Sequence, residues 1–234
     1  MVDLRLGDCS LELKNLEDNS IDLICIDPPY EINYQNLNWD GKDLDWNFFI
    51  NQFHRILKCS GNLIIFQGWS NVVDLLNLLN TSKNNWILKN WIIYDRIKGR
   101  GAKTNVVSTR EDILWFTKTK KDYNFNKIYS NIPKKTKGMG EKNGQPNRAL
   151  SNVWTDISPL VPWSKEKVKH PTQKPVKLME RIVTVFSNEN DLVLDCFMGS
   201  GSTGVACRNL NRNFIGIEKD KEYFEIAEER VYRR

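Results

Sequence analysis

What this sequence lacks narrows the field before any motif is read. No stretch of roughly eighteen residues is free of polar breaks, so nothing resembles a membrane span. The opening run Met1-Val2-Asp3-Leu4-Arg5-Leu6-Gly7-Asp8 carries charges where a signal peptide needs an apolar core, so secretion is not expected. Cysteine is sparse: Cys9, Cys25, Cys59, Cys196 and Cys207 are odd in number and never form a CxxC pair. That spacing argues against a disulfide framework or a zinc site and reads as reduced cytosolic thiols. There is no internal repeat. The expectation is a cytoplasmic protein without a metal or a membrane partner. What is present is ordinary for a soluble chain: 234 residues, 40% hydrophobic and 27% charged, enough for one or two folded units.

Charge is unevenly distributed. The formal net charge is +5, yet Arg96–Arg148 alone carries fourteen basic residues against four acids, or +10, leaving −5 for the rest. A basic segment in an otherwise acidic chain suggests a surface facing a polyanion, the alternative being a solvated basic face with no partner.

Apolar runs at residues 21–26, 61–66, 191–195 and 213–218 read as buried strands, and residues 85–96 and 111–118 as two more. Helical patterns lie between them, at 46–58, 176–186 and 221–231. Strands alternating with helices predict an α/β fold around a parallel sheet. Lys98, Arg100 and Lys103 fall in a basic glycine-containing loop between two of these strands. From residue 119 to 169 the regular pattern lapses into a lysine-rich stretch with four prolines, either poorly ordered or a small irregular module. Residues 31–45 form a second loop candidate.

Two motifs carry chemistry. Gly199-Ser200-Gly201-Ser202-Thr203-Gly204 follows the 191–195 run, and GxGxxG in that place implies a tight turn, close backbone approach to a ligand and a helix start. Glu218 ends the next strand, placed to accept hydrogen bonds from ribose hydroxyls. A dinucleotide and an adenosyl ligand both fit this far. Asp27-Pro28-Pro29-Tyr30 directly follows the 21–26 strand. Its two prolines remove two N–H donors and restrict φ, which holds a carboxylate, backbone carbonyls and an aromatic ring in a stiff tetrad. An aromatic amino group is a poor nucleophile because its lone pair is delocalised into the ring. A site that accepts both amino hydrogens favours the reactive, pyramidal nitrogen. Asp27 can supply one acceptor and the Pro28 carbonyl the other, while Tyr30 can stack on a base extruded from its helix.

The tetrad resembles the DPPY motif of amino-group DNA methyltransferases. Asp195-Cys196-Phe197-Met198-Gly199-Ser200-Gly201 is similar to their DxFxGSG cofactor motif, and His170-Pro171-Thr172-Gln173-Lys174-Pro175 to their HPTQKP motif. Catalytic motif first and cofactor motif last is the order of the β group. The resemblance spans nearly the whole chain, weakest at 119–168. It implies a Rossmann-like class I methyltransferase fold: a mostly parallel seven-stranded sheet, circularly permuted, with the chain ends near each other. The core would be residues 1–118 and 170–234, and residues 119–169 a target-recognition insert.

The same resemblance assigns roles. S-adenosylmethionine would be the cofactor, with Phe197 packing on its adenine and Gly199 and Gly201 admitting it to the backbone. Asp195, Ser200 and Ser202 belong to that stretch. Glu218 would hold the ribose, Asp8 would lie near the adenine, and His170 and Lys174 would face the methionine part, Lys174 pairing with its carboxylate. Asp27 would stand between cofactor and target. His54 has no such context and reads as helix surface or core edge. Double-stranded DNA would be the substrate, gripped through Lys98, Arg100, Lys103, Lys134, Lys135 and Lys137. A cognate restriction endonuclease and a homodimer are compatible partners.

Adenine N6 is the expected target, because cytosine-N4 enzymes more often begin the tetrad with serine; N4 of cytosine is the alternative. Related protein and RNA enzymes often begin it with asparagine, so Asp27 tilts towards DNA. A C5-cytosine enzyme needs a nucleophilic cysteine, usually after proline, and none of the five cysteines follows one. A nucleotide-dependent oxidoreductase would explain GxGxxG and Glu218 but not the other two motifs. A noncatalytic nucleic-acid-binding module would explain only the basic segment.

Overall fold

A computed structural model of the chain describes residues 1–29, 44–100, 104, 106–133 and 146–233, with only the backbone of residues 98–100 and 132. In chain order the elements are β1 (Val2–Leu6), α1 (Cys9–Glu12), β2 (Ile21–Ile26), α2 (Trp46–Ile56), β3 (Leu57–Gln67) and α3 (Val72–Thr81). There follow β4 (Ile87–Arg100), β5 (Ser108–Thr117), β6 (Tyr129–Pro133), β7 (Asn147–Ala149) and β8 (Val153–Trp154). The last are α4 (Val176–Phe186), β9 (Leu192–Asp195), α5 (Ser202–Asn209), β10 (Asn213–Glu218) and α6 (Lys221–Tyr232).

The central strand β2 is buried at all six positions. That is why it reads as a continuous apolar run, since a parallel strand covered on both faces has no solvent side. Its one charged residue, Asp22, accepts two hydrogen bonds from Lys58 at 2.8 Å and one from the Leu192 amide at 2.9 Å, so the buried carboxylate is paired. Alternation along the strands then divides the core in two. Ile24, Ile26, Leu63 and Ile65 face one side with α2 and α3; Leu23, Cys25, Ile64 and Phe66 face the other with α4, α5 and α6. Helix α2 shows the matching stripe: Phe49, Ile50, Phe53 and Ile56 are buried, and Asp45 caps it by accepting from the Phe48 amide at 3.0 Å.

The sheet runs β1-β10-β9-β2-β3-β5-β4-β8. The first five strands are mutually parallel, and β5 is antiparallel to both β3 and β4. The expected seven strands are therefore present with an eighth, β8, of two residues beside β4. Strand β3 starts directly after α2, so Lys58, read in sequence as helical, is in the strand. The 119–169 stretch is sewn to the core at several points. Asn124 and Asn126 donate their amides to Ser60 and Val185, and Trp154 is buried to 1% exposure. Strands β6 and β7 form a separate two-stranded sheet. As the permuted order implies, the chain ends meet at one edge, where the Tyr232 hydroxyl lies 3.5 Å from the Val2 carbonyl. Among the described residues, no helix is long and apolar enough to cross a membrane.

The connections from β9 and β2 diverge. From β9 the chain crosses through α5 to β10 on one side, and from β2 through α2 to β3 on the other, with the two helices on opposite faces. A crevice therefore opens above the carboxyl ends of β9 and β2, the switch point at which open α/β sheets bind ligands.

Candidate active site

The glycine loop owes its shape to buried carboxylates. Asp195, 4% exposed at the end of β9, accepts from the Thr203 hydroxyl at 2.5 Å and from the Phe197 amide at 3.1 Å. Burial pushes its carboxyl up to about 7. Between these anchors Gly199 and Gly201 take φ of +52° and +79°, the left-handed region that L side chains resist. At Gly199 a Cβ would also stand 2.9 Å from His170 Nε2. Glu218, at the end of β10, accepts from the Gly199 amide at 2.8 Å and from the Asp220 amide at 2.9 Å, and burial raises its carboxyl. Arg230 on α6 closes the loop from behind, donating to the Ser200 carbonyl and, at 3.0 Å, to its hydroxyl.

The HPTQKP segment packs on this loop. The Ser202 hydroxyl donates to the Lys174 carbonyl at 2.8 Å, and Gln173 is fixed by the Glu166 carbonyl at 2.7 Å and the Val168 amide at 2.9 Å. His170 stacks edge-on against Tyr223, ring centroids 4.5 Å apart. Burial lowers its imidazole to about 4, so the ring is neutral near pH 7, and its buried Nδ1 has no hydrogen-bond partner among the described residues.

Across the crevice, Asp27 follows β2 with its Oδ2 2.6 Å from Lys174 Nζ. The same ammonium lies 3.3 Å from Glu111 Oε2. Burial works against the charged lysine, but Asp27 and Glu111 outweigh it and hold Lys174 above the ordinary lysine value. Pro28 is buried behind Asp27 and Pro29 faces the crevice.

Together these groups line one cleft of about 860 Å³. Asp8, Asp27, His170, Lys174, Asp195, Phe197, Gly199, Ser200, Ser202 and Glu218, all expected at the site, border it. Gly201 stands just behind, as the residue that opens α5. Lys174 lies between Asp27 and Glu111, a placement that the expected pairing with a methionine carboxylate did not include. Asp8 also caps α1 through the Ser10 amide, 2.8 Å away. Tyr30, Lys103, Lys134, Lys135 and Lys137 lie outside the described residues, as do the side chains of Lys98 and Arg100. His54 packs edge-on against Trp86 at the edge of the core, away from the cleft lining.

Sequence reasoning missed Phe49, which meets Phe197 at 5.4 Å and extends an apolar wall of the cleft, and Glu111. The signal for Phe49 was its place on the apolar stripe of α2, which reads as core. For Glu111 it was a pair of acids, Glu111-Asp112, at the head of an apolar strand, where a buried carboxylate needs a partner.

A family model described as DNA methylase matches residues 21–229. The type II methyltransferase M.HpaI of Haemophilus parainfluenzae is 37% identical over 94% of this chain and 70% of its own length. The DNA adenine methyltransferase YhdJ of Escherichia coli is 36% identical over 96% of this chain and 81% of its own. The crystal structure of the M1.HpyAVI–SAM complex superimposes with a TM-score of 0.68 at 32% identity, covering 98% of this chain and 100% of that one. The chain belongs to the N6/N4 DNA methylase family, whose methyl donor is S-adenosylmethionine.

Proposed function

We propose that the chain methylates N6 of adenine in duplex DNA. The observation that carries this reading is Asp27, first residue of the tetrad, standing in the same cleft as the glycine loop that the cofactor needs. A relative named as a DNA adenine methyltransferase supports the choice of base.

The residues fit the cofactor. Gly199, with its positive φ and no Cβ, borders the cleft, the Nδ1 of the neutral His170, without a partner among the described residues, can take part in a hydrogen bond, and Asp8 and Glu218 offer carboxylates for hydroxyls and amines. Phe197 and Phe49 supply an apolar wall for an aromatic ring. Bound there, S-adenosylmethionine supplies an electrophilic methyl carbon on a sulfonium. The chain's task is to present a nucleophile to it. Asp27 and the Pro28 carbonyl accept the two amino hydrogens, which localises the nitrogen lone pair and aims it. A carboxylate offers about four lone-pair sites, so Asp27 can take an amino hydrogen while its Oδ2 holds Lys174. Tyr30 stacks on the extruded base, since the amino group of a stacked base is out of reach.

The basic residues Lys98, Arg100, Lys103, Lys134, Lys135 and Lys137 belong in this reading to the DNA grip, and residues 119–169 to target recognition. A cytoplasmic location, a cognate endonuclease and a homodimer are compatible with it. Asp27→Ala should lose methyl transfer by about a hundredfold or more while still binding S-adenosylmethionine. Digesting DNA methylated by the enzyme to nucleosides and resolving them by mass spectrometry tests the base. N4-methylcytosine without N6-methyladenine would overturn adenine and leave the enzyme class standing.

A further inference from the structure

The buried ion pairs behind Asp27 form a three-member chain that runs across the sheet. Asp27 directly follows β2, Phe66 lies on the neighbouring β3, and Glu111 lies on β5 beyond it. The Lys174 ammonium lies over the Phe66 ring, 5.2 Å from its centroid, with Asp27 Oδ2 at 2.6 Å on one side and Glu111 Oε2 at 3.3 Å on the other. Glu111 is itself held from behind. Its Oε1 is 3.7 Å from Arg96 Nη1, and it is paired in register with Tyr94, whose buried phenol is pushed up by burial first and by Glu111 next.

Such a chain is a poor choice if stability alone is at stake. Desolvating three charges offsets most of their attraction, and apolar residues of the same size would pack at least as well. A lysine has four rotatable bonds and three donors, so one carboxylate does not fix it; two carboxylates on opposite sides do. The lysine's backbone is already clamped to the cofactor loop through Ser202, which leaves its side chain to transmit position from β5 to β2.

We infer that Glu111 is a positioning residue for methyl transfer: it fixes the Lys174 ammonium, which in turn fixes Asp27 as the acceptor for the target amino group. By drawing on the same ammonium, Glu111 also leaves Asp27 more of its strength as an acceptor. The inference rests on Asp27 being that acceptor.

The test follows single-turnover transfer of a labelled methyl group to plasmid DNA from a methylation-deficient host, at saturating S-adenosylmethionine. Cofactor affinity is read by calorimetry on the same variants. Glu111→Gln keeps the shape and removes the charge, and should slow transfer about tenfold or more while cofactor affinity stays within about twofold. Glu111→Asp should recover part of the loss. Because Glu111 acts through Lys174, Glu111→Gln combined with Lys174→Met should be no slower than Lys174→Met alone. An unchanged rate in Glu111→Gln, a rate loss that merely follows lost cofactor affinity, or losses that multiply in the double variant each overturn the inference. If the glutamine variant does not fold, Glu111→Asp decides: a rate loss at unchanged affinity supports the role, and a full rate overturns it. Asp27→Ala in the same assay separates the two readings. An active Asp27→Ala removes the acceptor itself, whereas an inactive Asp27→Ala beside a fully active Glu111→Gln removes only the role of Glu111.

Discussion

Asp195 and His170 face the same cleft, and burial moves them in opposite directions. Asp195 is raised to about 7 by burial, so between its ordinary value near 4 and about 7 the native state holds a proton that the unfolded chain releases. That stabilisation is complete at the acid end of the window and is lost as pH rises towards 7. His170 is lowered to about 4 by burial, so across the range from 6.5 down to about 4 the unfolded chain binds the extra proton. Its stabilisation is present above 6.5 and lost on acidification. Relative to the parent, Asp195→Asn should therefore lose stability as pH falls from about 7 to 4, and His170→Gln should gain it. Thermal midpoints of cofactor-free protein across that range check both. Equal slopes in the two variants would contradict the burial of one or both groups.

Elements are joined by a few buried polar side chains, Asn62 on β3 among them. It is fully buried; its amide donates to the Asn124 carbonyl at 2.7 Å and the Phe186 carbonyl at 2.9 Å, and its oxygen accepts from the Trp115 indole at 2.8 Å. One side chain thus ties β3 to β5, to the end of α4 and to the start of the 119–169 stretch. Asn62→Ala strands three partners at once, two of them buried, and about 3 kcal/mol or more should be lost in urea unfolding. A loss under about 1 kcal/mol would mean that water replaces the amide. Element bounds were legible where burial leaves a period in the sequence: α4 spans residues 176–186 as its apolar spacing indicates. Strand β1 was not read as one, although Val2, Leu4 and Leu6 alternate with Asp3 and Arg5 as on a half-covered edge strand. The charges that argued against a signal peptide are that strand's polar positions.

At the scale of the whole molecule, Asp27 and the glycine loop come from opposite ends of the chain and meet because β9 and β2 are sheet neighbours. The basic excess of the 96–148 segment belongs to this scale as well. With six phosphates neutralised by the six named lysines and arginines, log K for DNA should fall against log salt with a slope of about −5. Replacing Lys134, Lys135 and Lys137 by alanine should reduce that slope by about 3 units, read by fluorescence anisotropy over a salt series. An unchanged slope would place the DNA grip elsewhere.

The sequence by itself determined the family, the cofactor and the polar groups and glycine loop that border the cleft. These depend on short motifs whose chemistry is local: glycines that tolerate positive φ, prolines that stiffen a tetrad, an acid at a strand end. Only the tertiary structure decided who pairs with whom. In sequence Lys174 reads as a partner for a ligand carboxylate, and nothing local links it to residues 147 and 63 positions earlier in the chain. The sheet order brings the Asp27 and Glu111 carboxylates to either side of its ammonium. Long-range pairing of buried charge is set by strand neighbours, and strand neighbours are settled by burial of the whole core.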